Sequence, residues 1–152
     1  MATATKKAME RTFALLASEG ITISIRDTVD NPRWRDYHGL NVYRVIARRP
    51  AERGRPNVFT YYHPTHPGAE RPTAWDVACE LGLHMLQMLD VSSFDSFCDV
   101  RGITGTEDSP EARADAERLY AADLSHTLRA EDFLGSDTAI DLMEIVDNWI
   151  AE

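Results

Sequence analysis

The sequence predicts an α+β fold, an N-terminal helix and a three-stranded antiparallel meander followed by a C-terminal helical half. Three observations carry that prediction. Between Ile21 and His63 lie three short runs rich in Ile, Val and Tyr, separated by segments punctuated with Pro, Gly and Asn. From Thr73 onward, apolar side chains recur at three- and four-residue spacing behind clear helix-start residues. The charge also changes sign between these regions. Up to Arg71 there are 12 Lys and Arg against 7 Asp and Glu; from Pro72 there are 4 arginines, no lysine and 18 Asp and Glu.

Residues Thr3 to Glu19 read as a helix with Met9, Phe13 and Leu16 on one face, joined by Ala8 and Ala17, and Gly20 as its stop. Ile21 to Arg26 alternates strictly, so Ile21, Ile23 and Ile25 face the core of a half-buried strand. Leu40 to Arg49 and Val58 to His63 supply the second and third strands, around a loop running from Pro50 to Asn57. The short connections favour antiparallel neighbours, with the first helix packed on the sheet. His63 to Pro72 has too many prolines for a helix or a central strand and reads as an extended linker.

Thr73 and Asp76 form a capping-box pair at the head of the next helix. Its apolar stripe is Trp75, Ala78, Cys79, Leu86 and Leu89, flanked by Val77, Leu81, Met85 and Met88. Ser92 or Ser93 caps a short helix in which Phe94, Phe97 and Cys98 make a hydrophobic plug. Ser109, with Pro110 at the first helical position and Glu111 in the first turn, starts a helix running to about Leu128 and burying Ala112, Ala116, Leu119, Tyr120 and Leu124. A last helix covers Ser136 to Ala151, with Ile140, Met143, Val146 and Ile150 beside Leu142, Ile145 and Trp149.

The size and composition are those of one domain spanning 1–152, made of a basic helix-plus-sheet half (1–71) and an acidic helical half (72–152). The longest apolar runs are only a few residues, too short to span a membrane. No apolar segment stands behind Lys6 and Lys7, so the N-terminus does not read as an export signal. The expected location is the cytoplasm, with Cys79 and Cys98 reduced.

No motif in the chain announces catalysis. His63 and His66 are candidate zinc ligands if His38, His84, Cys79 or Asp76 folds beside them, but no C-x-x-C or H-E-x-x-H accompanies them. A polar linker covering a sheet edge is the better reading of them, and no metal or cofactor is expected. Cys98 is a nucleophile only if a histidine reaches it, with Asp95 or Asp99 as orienter; next to Phe97 it reads as packing.

The charged surfaces say more. Asp108, Glu111, Asp115, Asp123, Glu131 and Asp132, prolonged by Asp137, make an acidic face. Duplex DNA presents one charge per ~1.7 Å of axis, so such a face can imitate a phosphate track for a basic groove. It can equally serve solubility, and Arg113 and Arg118 interrupt it. Arg44, Arg48 and Arg49 with Tyr43, and Arg33, Arg35, Trp34 and Tyr37 nearby, form the alternative basic face. That face suits single-stranded nucleic acid, or the acidic half of a second copy in a salt-sensitive homodimer.

The run Pro72-Thr-Ala-Trp-Asp-Val77, then Phe94-Asp-Ser-Phe-Cys98, Gly102, Asp108-Ser109, Ala112 and Tyr120 resembles a family of small phage and prophage proteins. The resemblance covers about the last two thirds of the chain. It departs at Trp75, where the family has Tyr, in a longer gap before Phe94, and at Arg101-Gly102-Ile103, where an aromatic is usual. The matched positions are caps, plugs and a stop, so the resemblance implies a fold and a mobile-element origin rather than an active site. That origin implies an anti-defence protein, of the anti-CRISPR or anti-restriction kind. The expected function is therefore a non-enzymatic inhibitor that binds a CRISPR-Cas or other nucleic-acid-binding defence protein of the host through the acidic helices. The alternatives are a nucleic-acid-binding accessory protein that uses the arginine-rich sheet, and a small metal-dependent enzyme built around His63, His66 and Cys98.

Overall fold

The computed structural model describes residues 2–28, 41–66 and 68–152. In chain order these form helix α1 (Ala2–Ser18), strands β1 (Thr22–Asp27), β2 (Asn41–Arg48) and β3 (Val58–Thr65), and helices α2 (Ala74–Leu89), α3 (Phe94–Arg101), α4 (Pro110–Leu134) and α5 (Ser136–Ala151). The strands pair antiparallel in the order β1-β2-β3, so the fold is the α+β meander-then-helices arrangement. Arg33, Trp34, Arg35, Tyr37 and His38 lie outside the described residues.

Strand alternation does what the sequence demands. Ile21 is buried while Ile23 and Ile25 pack on the core, opposite Ala47 and Val45 of β2. β3 runs two residues past His63: Pro64 pairs with Val42 and Thr65 with Asn41. A proline is tolerated there because β3 is an edge strand with a free N–H side. Both sheet edges are closed by arginines. Arg71 donates to the Ile25 carbonyl on β1, and Arg129 of α4 donates to the Thr60 carbonyl on β3 at 2.7 Å. Such blunting prevents an open edge from recruiting another strand.

α2 packs on α5, α4 and α1. Thr73 accepts from the Asp76 backbone N–H while Asp76 accepts from the Thr73 N–H, the complete capping box. Val77, Ala78 and Met85 are almost fully buried, and Gly82 lies against α5; a Cβ there would stand 2.6 Å from a Val146 methyl. Glycine is thus required by the close helix approach rather than by backbone conformation. Trp75 meets Trp149 of α5 edge-on at 5.5 Å, and the Trp149 indole donates to Thr5 of α1 at 3.2 Å.

Several burial expectations are corrected. α1 packs chiefly on α5 and α2 rather than on the sheet. Its inner face is Ala8, Thr12 and Leu16, with Met9 and Leu15 at the margin, and Phe13 and Ala17 turn outward. Leu89, Leu119, Leu124, Ile140 and Ile150 are exposed. α4 does not stop near Leu128 but continues to Leu134, where Phe133 and Leu134 enter the core and Gly135 turns the chain into α5. Arg129, Ala130 and Glu131 are good helix formers, and burial of Ala130, Phe133 and Leu134 carries the helix on. One hydrophobic cluster joins α1, the sheet, α2, α4 and α5 across the basic and acidic halves.

Candidate functional site

The acidic face divides into an open part and a closed part. At its start, Ser109 accepts from the Ala112 N–H, fixing the first turn of α4 and projecting Glu111 into solvent, with Asp108 exposed in the turn just before it. Asp115 follows one turn on, also exposed, paired with Arg118; Arg113 and Glu117 pair at 2.9 Å. Asp123 is different: it is largely covered, its carboxylate holds Arg101 of α3, and its carbonyl faces the His84 Nε2 at 3.2 Å. Glu131 is half-buried, and Asp132 is exposed at the far end of the helix. On α5, Asp137, Asp141, Glu144 and Asp147 are all exposed. Three- and four-residue spacing brings neighbouring helical side chains to about 5–6 Å between Cβ atoms, so Asp137, Asp141, Glu144 and Asp147 form a row along α5, and Glu111 and Asp115 a shorter one at the start of α4.

All four arginines of this half have internal acceptors: Arg101 takes Asp123, Arg113 takes Glu117, Arg118 takes Asp115, and Arg129 takes the Thr60 carbonyl. Asp108, Glu111, Asp132 and the α5 acids have no ion-pair partner among the described residues. Among the described residues the open surface therefore carries an excess of negative charge.

The basic face is not continuous either. Arg44 and Arg48 share the outer face of β2, whereas Tyr43 belongs to the opposite face, half-buried under the Arg71 guanidinium at 5.7 Å. Arg49, expected on the basic surface, is 8% exposed and faces inward. Its Nη1 donates to the Phe133 and Leu134 carbonyls at 2.8 and 3.2 Å, and its Nη2 reaches Glu19 at 3.1 Å and Glu52 at 3.4 Å. It closes the C-terminal end of α4, where carbonyls lack helical partners and a cation opposes the helix dipole.

His63 and His66 separate at the end of β3. His66 is exposed; His63 Nδ1 sits against the Glu80 carboxylate of α2, off the line of a directed hydrogen bond. Among the described residues no three His, Cys, Asp or Glu side chains come together as a metal-holding group. Cys98 is buried in the aromatic plug, whose Phe97 meets Tyr120 at 5.0 Å. Burial, with Asp76 and Glu80 nearby, pushes the Cys79 thiol up and keeps it protonated.

The structure does assemble one polar cluster that spacing did not reveal. His126 of α4 stands edge-on to His84 of α2 at 4.9 Å and to Tyr61 of β3 at 4.9 Å, with Phe59 at 5.5 Å. Burial and the neighbouring His84 push the His126 imidazole down to about 4, so it is neutral at pH 7. Burial and then Glu80 raise Tyr61 well above the usual phenol range, and its buried hydroxyl has no partner among the described residues. This seam of rings ties α4 to α2 and β3. Comparison with family models, curated proteins and solved structures yields no match for the chain. No helix among the described residues is long and apolar enough to cross a membrane.

Proposed function

We propose that the protein is a non-enzymatic inhibitor, phage-encoded and active in the host cytoplasm, that binds a basic nucleic-acid-binding defence complex through its acidic helices. The observation that carries this reading is the pairing of Arg101, Arg113 and Arg118 with carboxylates of the same half, while Asp108, Glu111, Asp132 and the α5 carboxylates stay exposed without an ion-pair partner among the described residues. A surface set on packed helices and left with one sign of charge attracts the positive groove of a protein that normally holds phosphates. The burial of Cys79 and Cys98, and the separation of His63 from His66, favour binding over catalysis. A defence complex of the CRISPR-Cas or restriction kind is the partner class implied by the resemblance to phage proteins.

The test is capture of partners by tagged full-length protein from cells carrying active CRISPR and restriction systems, with elution in salt steps. Contacts of this kind weaken as the Debye length falls from about 10 Å at 0.1 M salt to about 3 Å at 1 M. Recovery of a basic effector complex released by moderate salt supports the proposal. Recovery of nucleic acid alone, or of no partner under active defence, contradicts it.

A further inference from the structure

On the outer side of the sheet, Arg44, Thr60, Tyr61, Tyr62 and Arg129 line an open groove of about 360 Å³. Its volume lies at the lower end of the range for small-molecule sites, about 300–1,000 Å³. We propose that this groove binds a nucleotide unit, its phosphate held between Arg44 and Arg129 and its base stacked on Tyr62.

Charge is the first reason. The chain carries a net charge of -9, yet neither Arg44 nor Arg129 has a carboxylate partner among the described residues. They come from opposite halves of the sequence, Arg44 from β2 and Arg129 from α4, and meet at one groove. Two guanidiniums left uncompensated there form a positive pocket in a negative molecule, and a guanidinium fork matches phosphate oxygens two at a time.

Preorganisation is the second. Arg129 is fixed before any ligand arrives, because it donates through Nη2 to the Thr60 carbonyl at 2.7 Å and lies 5.2 Å over the Phe59 ring. One hydrogen bond uses one of its five donors, so most of the fork remains for an anion. Holding the group in place beforehand lowers the ordering cost of binding.

The third is the aromatic neighbour. Tyr62 is the cross-strand partner of Arg44, on the same outer face, and its side chain is 45% exposed. A planar ring beside an arginine pair is the combination that holds a base by stacking and its phosphate by charge. A bare carboxylate or sulfate makes no use of the ring. A duplex is disfavoured because the acidic helices of the same molecule repel a long polyanion.

The experiment uses full-length protein and fluorescence anisotropy of a labelled eight-nucleotide oligo-dT strand at low salt, with AMP and inorganic phosphate as competitors. Arg44→Ala and Tyr62→Ala carry the test, since Arg129→Ala also strips a sheet-edge carbonyl of its donor. The expected result is binding by wild-type protein, weakened on the order of tenfold by each substitution, as a single phosphate or stacking contact implies. Arg44→Ala also flattens the salt dependence by about 0.7 in log–log slope. Competition by AMP as effective as by unlabelled strand identifies a free nucleotide as the ligand. Resistance to AMP identifies a unit of single strand, and both outcomes support the site. Failure of wild-type protein to bind strand or AMP overturns the proposal, as does equal binding by both variants with unchanged melting curves. Glu111→Lys with Asp115→Lys leaves this binding intact, which separates the groove from the acidic docking face.

Discussion

The two ends of α4 carry opposite solutions to the same problem. At the C-terminal end Phe133 and Leu134 are buried, and their carbonyls accept from Arg49, which also gathers Glu19 and Glu52. At the N-terminal end Ser109 satisfies a single amide, and Asp108, Glu111 and Asp115 face water. Charge at one end therefore serves folding, and charge at the other stays in solvent. The same distinction separates Arg49 from Arg44, residues of one sequence cluster with unrelated roles. A sequence that counts both as one basic face merges a helix clamp with a surface group.

The comparison is broken most severely by Arg49→Ala. Removal of its guanidinium strands two helix-end carbonyls beside a buried face and leaves Glu19 without its partner, a loss of about 3 kcal/mol in urea unfolding. Arg49→Lys keeps the charge but not the fork, and loses about half as much. Between the two ends, His126 makes stability depend on pH. Its folded value of about 4 lies below the ordinary 6.5, so the unfolded chain binds the proton first. Stability contributed by the neutral ring is full above about pH 6.5 and is lost as pH falls toward 4. Unfolding free energies measured at pH 7, 6 and 5 should decline for wild type and flatten for His126→Leu.

Smaller effects belong at the open end. Ser109→Ala removes the cap and costs about 1 kcal/mol, visible as faster amide exchange in the first turn of α4 with little change at Phe133. Glu111→Lys with Asp115→Lys costs no more than about 1 kcal/mol by thermal melting, because both sites are exposed and only the helix dipole and one surface pair are disturbed.

What the sequence disclosed follows the range of the interaction. Thr73 with Asp76, Ser93 at the head of α3, and Ser109 with Pro110 act on amides three residues away, and each cap is found where its residues stand. The strands were legible because Ile21, Ile23 and Ile25 alternate and Val, Ile and Tyr recur along β2 and β3. The inner face of α1 was not, since Phe13 is more apolar than Thr12 but Thr12 is the residue that faces α5 and α2. The end of α4 was missed because the burial that holds Phe133 and Leu134 there comes from Phe59 and Arg49, far earlier in the chain. Of the site, the open acids Asp108, Glu111, Asp115 and Asp132 were readable from spacing. The inward turn of Asp123, the clamp by Arg49, the His84–His126–Tyr61 seam and the Arg44–Arg129 groove join residues far apart in sequence. No local pattern encodes those contacts.

The measurement that tests the acidic-docking account most directly is a paired capture. Wild-type protein and the Glu111→Lys, Asp115→Lys variant, with matched melting curves, are used to recover partners from the same defence-active cells. The account predicts that wild type retains a basic effector complex up to moderate salt and that the folded variant retains none. Equal recovery by the two proteins would contradict it, and would assign the open carboxylates to solubility alone.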